Sequence, residues 1–120
     1  MREPDKDYGR LLHMLEMADL LEVERTTRSI DDILNDRVLF YGFSKMVEIF
    51  GEAAYMITKD FKNGHTAIPW RQIEGMRHIL VHGYFSISAE VLWDVIQNDI
   101  PALTPILQGY IKEFKTPYNQ

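Results

Sequence analysis

Apolar and polar positions along this chain recur with a helical period and nowhere alternate over a useful length. Leu11, Met14, Ala18 and Leu21 fall at steps of three, four and three, which predicts an amphipathic helix over about 5–24. "TTRSIDDILND" follows as a connector holding one helical turn. Ser29 suits its N-cap, and Asp31 and Asp32 suit a first turn where the helix dipole favours negative charge. The most strongly patterned run covers about 36–62. Leu39, Phe43, Met46, Phe50, Ala53 and Ile57 step by four, three, four, three and four, like a coiled-coil seam. Phe40, Val47 and Ala54 form a second stripe beside it. A helix apolar over so much of its circumference is central to a bundle or shared with a second subunit. Gly42 and Gly51 lie inside it, at a cost of about 1 kcal/mol each relative to alanine, and point to close approach of a neighbouring backbone.

"KNGHTAIP" breaks the pattern, with Gly64 suited to a C-cap and Pro69 to the first turn of a helix over about 69–81 that ends at Gly83. Ser88 suits the N-cap of "SISAEVLWDVIQND". In "DIPALTPILQGYIKEF" Asp99 is placed to cap and Pro101 to sit near a helix start, while Pro105 suggests a bend or a later start. The closing "KTPYNQ" reads as frayed. The expected class is all-α.

Composition narrows the picture. At 120 residues, 46% apolar and 26% charged, the chain suits one globular domain over 1–120. No apolar run reaches membrane-spanning length, and "MREPDKDYGR" is charged where a signal peptide would be apolar, so a cytoplasmic protein is expected. The absence of cysteine excludes disulfides and thiolate chemistry. A net charge of −5 argues against nucleic-acid binding through the overall field, so an RNA substrate would have to be gripped locally.

The chemistry concentrates in "RHILVHGY", residues 77–84, which holds two of the four histidines. Three readings of it stand side by side. His78 and His82, four apart on one helix face, can simply be packed and hydrogen-bonded. They can instead share a metal ion, although the stretch lacks the glutamate of a metalloprotease helix and only His13 and His65 remain as further imidazoles. The third reading joins Arg77 to His82. On an intact helix these lie about 140° apart, so they meet on one phosphate only if the helix breaks at Gly83 or a second copy supplies the complementary residue. Two histidines and a guanidinium would then give a base for the 2′-hydroxyl, an acid for the leaving oxygen and a counter-charge for the phosphorane.

Arg77, four residues, His82, one residue, Tyr84 is the R-x4-H-x-Y pattern, and through it the chain resembles the HepT-like (DUF86) ribonuclease toxins among HEPN-domain proteins. The resemblance extends over nearly the whole chain: "IFGEAAYMITKDF" looks like the family's long second helix, and "IPWRQIEGMR", "HGYF" and "VLWDVIQNDIPAL" look like the segments that follow. It implies an antiparallel bundle of four to five helices, dimeric, with arginine and histidine in a composite cleft. It implies a metal-independent endoribonuclease needing no cofactor, the toxin of a type VII-like toxin–antitoxin pair. The implied partners are an RNA substrate and an MNT-type nucleotidyltransferase antitoxin that adds AMP to the motif tyrosine. Carried over, Arg77 binds the scissile phosphate, His82 is the acid–base residue, His78 supports it and Tyr84 is modified. The alternative is a non-catalytic helical partner that presents a substrate to the nucleotidyltransferase. Two positions depart from the pattern: His78 stands where asparagine is common, and Gly83 where many members carry an acidic residue. Trp70, Trp93, Phe85 and the methionines read as core, and Glu48 and Glu52 as a solvated helix face.

Overall fold

In the computed structural model, which describes residues 6–83 and 87–114, no strand forms among the described residues. Helix α1 (Asp7–Thr27) buries Leu11, Met14, Ala18 and Leu21, the stripe expected from their spacing, together with Met17. α2 (Ile30–Leu34) is a short helix capped at Ser29, whose backbone N–H donates to the Asp32 carboxylate at 2.8 Å. α3 (Arg37–Met56) starts at Asp36, whose Oδ1 accepts the Val38 and Leu39 amides at 3.0 and 3.3 Å. Phe40, Phe43, Val47, Phe50, Ala53 and Ala54 are buried along it, and Leu39 and Met46 pack partly buried against them.

Both stripes of α3 are thus covered within one chain, by α1 on one side and α5 on another. Of its large apolar side chains only Val38 and Tyr41, near its start, are exposed. Surplus apolar surface on this helix therefore gives no reason to expect a second subunit.

The helix expected over 36–62 ends at Met56, and a separate α4 (Lys59–Gly64) follows. The cause is Thr58. Its extended backbone caps α4 through Oγ1, which accepts the Phe61 amide at 3.3 Å. Asp7 fixes it from the other side: Oδ1 accepts the Thr58 N–H at 3.0 Å and Oδ2 the Thr58 hydroxyl at 2.7 Å. Arg10 completes the staple by donating to the Met56 carbonyl at 2.7 Å. The start of α1 is thereby tied to the end of α3, and the two helices run antiparallel. Asp7→Ala would leave the buried Thr58 donors without their acceptor, so a loss of about 2–3 kcal/mol is expected in urea unfolding, and a smaller one for Asp7→Asn.

α5 (Trp70–Gly83) begins just after Pro69, whose carbonyl accepts the Ile73 amide at 3.1 Å. Ser88 caps α6 (Ala89–Asp94) as expected, its Oγ accepting the Val91 amide at 3.1 Å. Beyond α6 the chain does not restart at Asp99. A π-helical turn, Val95–Asp99, joins α6 to α7 (Ile100–Lys112) in one rod, and Asp99 has helical angles with no capping bond. Pro101 explains the turn. It lacks an N–H, and its ring would crowd the carbonyl four residues back. The wider bonding of the turn, with Ile100 N–H reaching Val95 O, makes room for it. The rod runs antiparallel to α1: Arg25 donates to Gln97 at 3.0 Å near one end, and Tyr8 meets Phe114 near the other.

Trp70 and Trp93 are buried, as expected of core residues, and Phe85 lies outside the described residues. His65 is also structural. Its Nδ1 pairs with the Phe61 carbonyl and its Nε2 with Glu113, both at 2.7 Å, with its ring stacked on Phe61. Among the described residues, no helix is long and apolar enough to cross a membrane.

Candidate active site

α5 has two faces. Ile73, Met76 and Leu80 turn inward, whereas Gln72, Gly75, His78, Ile79 and His82 form an exposed stripe. Arg77 stands at the edge of the inward face, against α3. Its Nε donates to Glu52 Oε1 at 2.8 Å, and its guanidinium carbon lies 4.4 Å from the centre of the Tyr55 ring. Glu52 is about half exposed (47%), so the ion pair contributes on the order of 0.2–1 kcal/mol and serves more to orient than to stabilise. A carboxylate on one edge and an aromatic ring against the face fix the guanidinium plane. Among the described residues neither Nη has a hydrogen-bond partner, so the outer edge of the fork can still receive a phosphate.

This close approach depends on Gly51. A Cβ added there would stand 2.7 Å from Arg77 Cβ. Gly42, also expected to admit a neighbouring backbone, has nothing within 4 Å of such a Cβ. Gly51→Ala gains about 1 kcal/mol of helix propensity but forces an overlap with a side-chain stem that costs about 1–3 kcal/mol. A net destabilisation of about 1 kcal/mol is expected in denaturant unfolding, where an ordinary exposed helix glycine would give stabilisation.

α5 stays helical through Gly83, so the break that would let His82 swing toward Arg77 does not occur. At about 100° per residue the two side chains leave the helix about 140° apart. The structure therefore does not bring Arg77 and His82 together within one chain. It does bring His78 and His82 together, with ring centres 4.7 Å apart and planes at 52°. Both rings are exposed, and neither has a hydrogen-bond partner among the described residues. Tyr84 lies outside the described residues.

Of the two residues at the arginine, sequence reasoning reads Glu52 with Glu48 as a solvated face and does not single out Tyr55. Glu52 does not merely face solvent but holds Arg77, whereas Glu48 pairs with Lys45 at 3.2 Å, as a solvated face would. Tyr55 carries no motif of its own. The usable signal was Gly51: a glycine marking a close approach implicates its neighbours at the next position and one turn on. Beside Glu52, between α1 and α3, a groove of about 400 Å³ is lined in part by Arg10, His13 and Lys45. Among the described residues, no three or more His, Asp or Glu side chains are grouped as a metal site.

Such a bundle, with Arg77 of α5 held against the central α3 and two exposed histidines on the same α5, is an all-α helical domain. Residues 14–109 match the family model described as Ribonuclease HepT-like, and the chain belongs to that family. A relative from Thermococcus cleftensis named "Probable ribonuclease HepT" is 38% identical over 106 residues, covering 86% of this chain and 92% of its own length. A second, from Caldanaerobacter subterraneus subsp. tengcongensis and named "Putative RNase TTE0752", is 37% identical, covering 88% of this chain and 94% of its own length. A third, "Putative RNase MJ1380" of Methanocaldococcus jannaschii, is 34% identical over 78% of this chain and 85% of its own length. No solved structure matches the chain significantly. Its class of activity is that of an endoribonuclease.

Proposed function

We propose that the chain is a metal-independent endoribonuclease working as a homodimer, with Arg77 and His82 meeting across a composite cleft between two copies. The observation that carries this reading is the unbroken α5, on which the arginine and histidine diverge. A two-fold axis beside α5 removes the divergence, because each copy then offers its arginine or histidine to the other. The exposed stripe supports such an axis: Gly75 leaves room on it, and Ile79, 45% exposed, offers an apolar contact beside His78 and His82.

In that cleft a neutral His82 takes the proton of the ribose 2′-hydroxyl, and the 2′-oxygen attacks phosphorus. Arg77 holds the charge that gathers on the phosphoryl oxygens, and the protonated His82 of the second copy gives its proton to the departing 5′-oxygen. One P–O bond forms and one breaks, leaving a 2′,3′-cyclic phosphate and a 5′-hydroxyl. His78 supports His82 through its ring contact. The groove beside Glu52 carries Arg10 and Lys45 against Glu48 and Glu52, so the grip on an RNA backbone falls to Arg77 itself.

The same reading makes this chain the toxin of a type VII-like toxin–antitoxin pair in the cytoplasm, silenced by an MNT-type nucleotidyltransferase that adds AMP to Tyr84. A second reading is favoured by one observation: Arg77 is already engaged by Glu52 and Tyr55, which would suit a structural arginine in a non-catalytic partner of that nucleotidyltransferase. Incubation of purified protein with total RNA in EDTA, beside His82→Ala, separates the two, since a non-catalytic partner leaves the RNA intact in both. Light scattering at micromolar concentration should give twice the mass of the chain. A monomer there would remove the composite cleft.

A further inference from the structure

The geometry points to a binding site for a transition-metal dication on the His78–His82 pair, one whose occupancy switches the enzyme off. The pair has the properties of a two-imidazole chelate. His78 and His82 lie four residues apart on an intact helix, both exposed, and neither ring has a hydrogen-bond partner among the described residues. Their ring centres are 4.7 Å apart. Metal–imidazole bonds of about 2.0–2.1 Å meeting at roughly 90–110° place two ring centres about 4.5–5.2 Å apart, so the rings already stand at chelating distance.

The donor set determines which ion and how firmly it is held. Two neutral imidazoles select zinc, nickel or copper over magnesium or calcium, which take oxygen ligands. Within one chain no third His, Asp or Glu is grouped there among the described residues, so the remaining positions on the ion are open to water, buffer or the second copy of the proposed dimer. Such a site is open and exchangeable, unlike the closed four-ligand sites that hold folds together. His65, held by Phe61 and Glu113, does not compete for the ion. Binding needs deprotonated imidazoles and therefore weakens in acid.

Occupancy removes the lone pair that His82 would use as a base and adds positive charge where it would act as an acid. The inhibitory half of the inference rests on the proposed role of His82, and the binding half rests on geometry alone. His78 is what makes the site, so sensitivity to metal is a property of this chain's own sequence.

Calorimetry with zinc chloride on the full-length protein tests the binding half. Saturable binding is expected for the wild type, with affinity at least about tenfold weaker in His78→Ala and in His82→Ala, since each loses one of two ligands. Equal affinity in wild type and both variants, or no saturable binding, overturns the site. RNA cleavage under zinc titration tests the other half. Inhibition that EDTA reverses is expected, needing at least about tenfold more zinc in His78→Ala relative to that variant's own uninhibited rate. Zinc that binds at the pair without slowing cleavage would keep the site and overturn the assignment of His82.

Discussion

Arg77→Ala and His82→Ala should each lower RNA cleavage at least about a hundredfold, with the wild type fully active in EDTA. A positioned acid–base group or an oxyanion-type donor is worth about that much on its own. The two variants should fail for different reasons. His82 is exposed and its ring pairs with that of His78, also exposed, so its loss should leave folding almost untouched. Arg77 also carries the Glu52 ion pair and the Tyr55 contact, so Arg77→Ala should cost a little stability as well. Arg77→Lys separates the two effects. A lysine keeps the charge but not the planar fork that Glu52 and Tyr55 orient, so most of the activity should still be missing while the stability returns. Gel analysis of a defined RNA, with the cyclic-phosphate end identified by mass spectrometry, reads all of this. Full activity in His82→Ala, or complete inhibition of the wild type by EDTA, would overturn the assignment.

Much of the fold was legible in the sequence because local chemistry agreed with the packing. The α1 stripe, the Ser29 and Ser88 caps and the central place of α3 all follow from period and capping residues alone. The misplaced boundaries have non-local or less familiar causes. α3 ends at Met56 because Asp7, some fifty residues earlier, captures Thr58, and nothing near Thr58 announces that partner. Asp99 looks like a cap followed by a proline, but the π-turn lets helical backbone pass through Pro101 without one. The site shows the same division. Arg77, His78 and His82 are visible as a spaced set on one helix, whereas Glu52 and Tyr55 reach Arg77 only across the α3–α5 contact. The direction of the two motif side chains is the physical reason one chain's sequence could not by itself complete the site. A 3.6-residue helix sets them apart, and in the proposed dimer the second copy is what would bring such groups onto one phosphate.

AMP on Tyr84 should abolish cleavage, and Tyr84→Phe should escape that silencing. Tyr84 follows Gly83, the last residue of α5, and stands two residues beyond His82. Two residues of chain span at most about 7 Å between Cα atoms, which keeps the modified residue in sequence reach of His82. In the modification the tyrosine oxygen attacks the α-phosphorus of ATP, a P–O bond forms, and pyrophosphate leaves. The product brings a nucleotide and at least one negative charge to the rim of the proposed cleft. Its phosphate would compete for the outer edge of the Arg77 fork and repel an RNA backbone, by the rules that govern phosphorylation switches. An acidic chain of net charge −5 has little long-range attraction with which to overcome that repulsion. Incubation with an MNT-type nucleotidyltransferase and ATP should therefore raise the mass by one or more AMP units and reduce cleavage to background. Tyr84→Phe should keep its mass and its activity under the same treatment. Peptide mapping that places the AMP on another tyrosine, or a Tyr84→Phe protein that the nucleotidyltransferase still silences, would move the switch away from the motif.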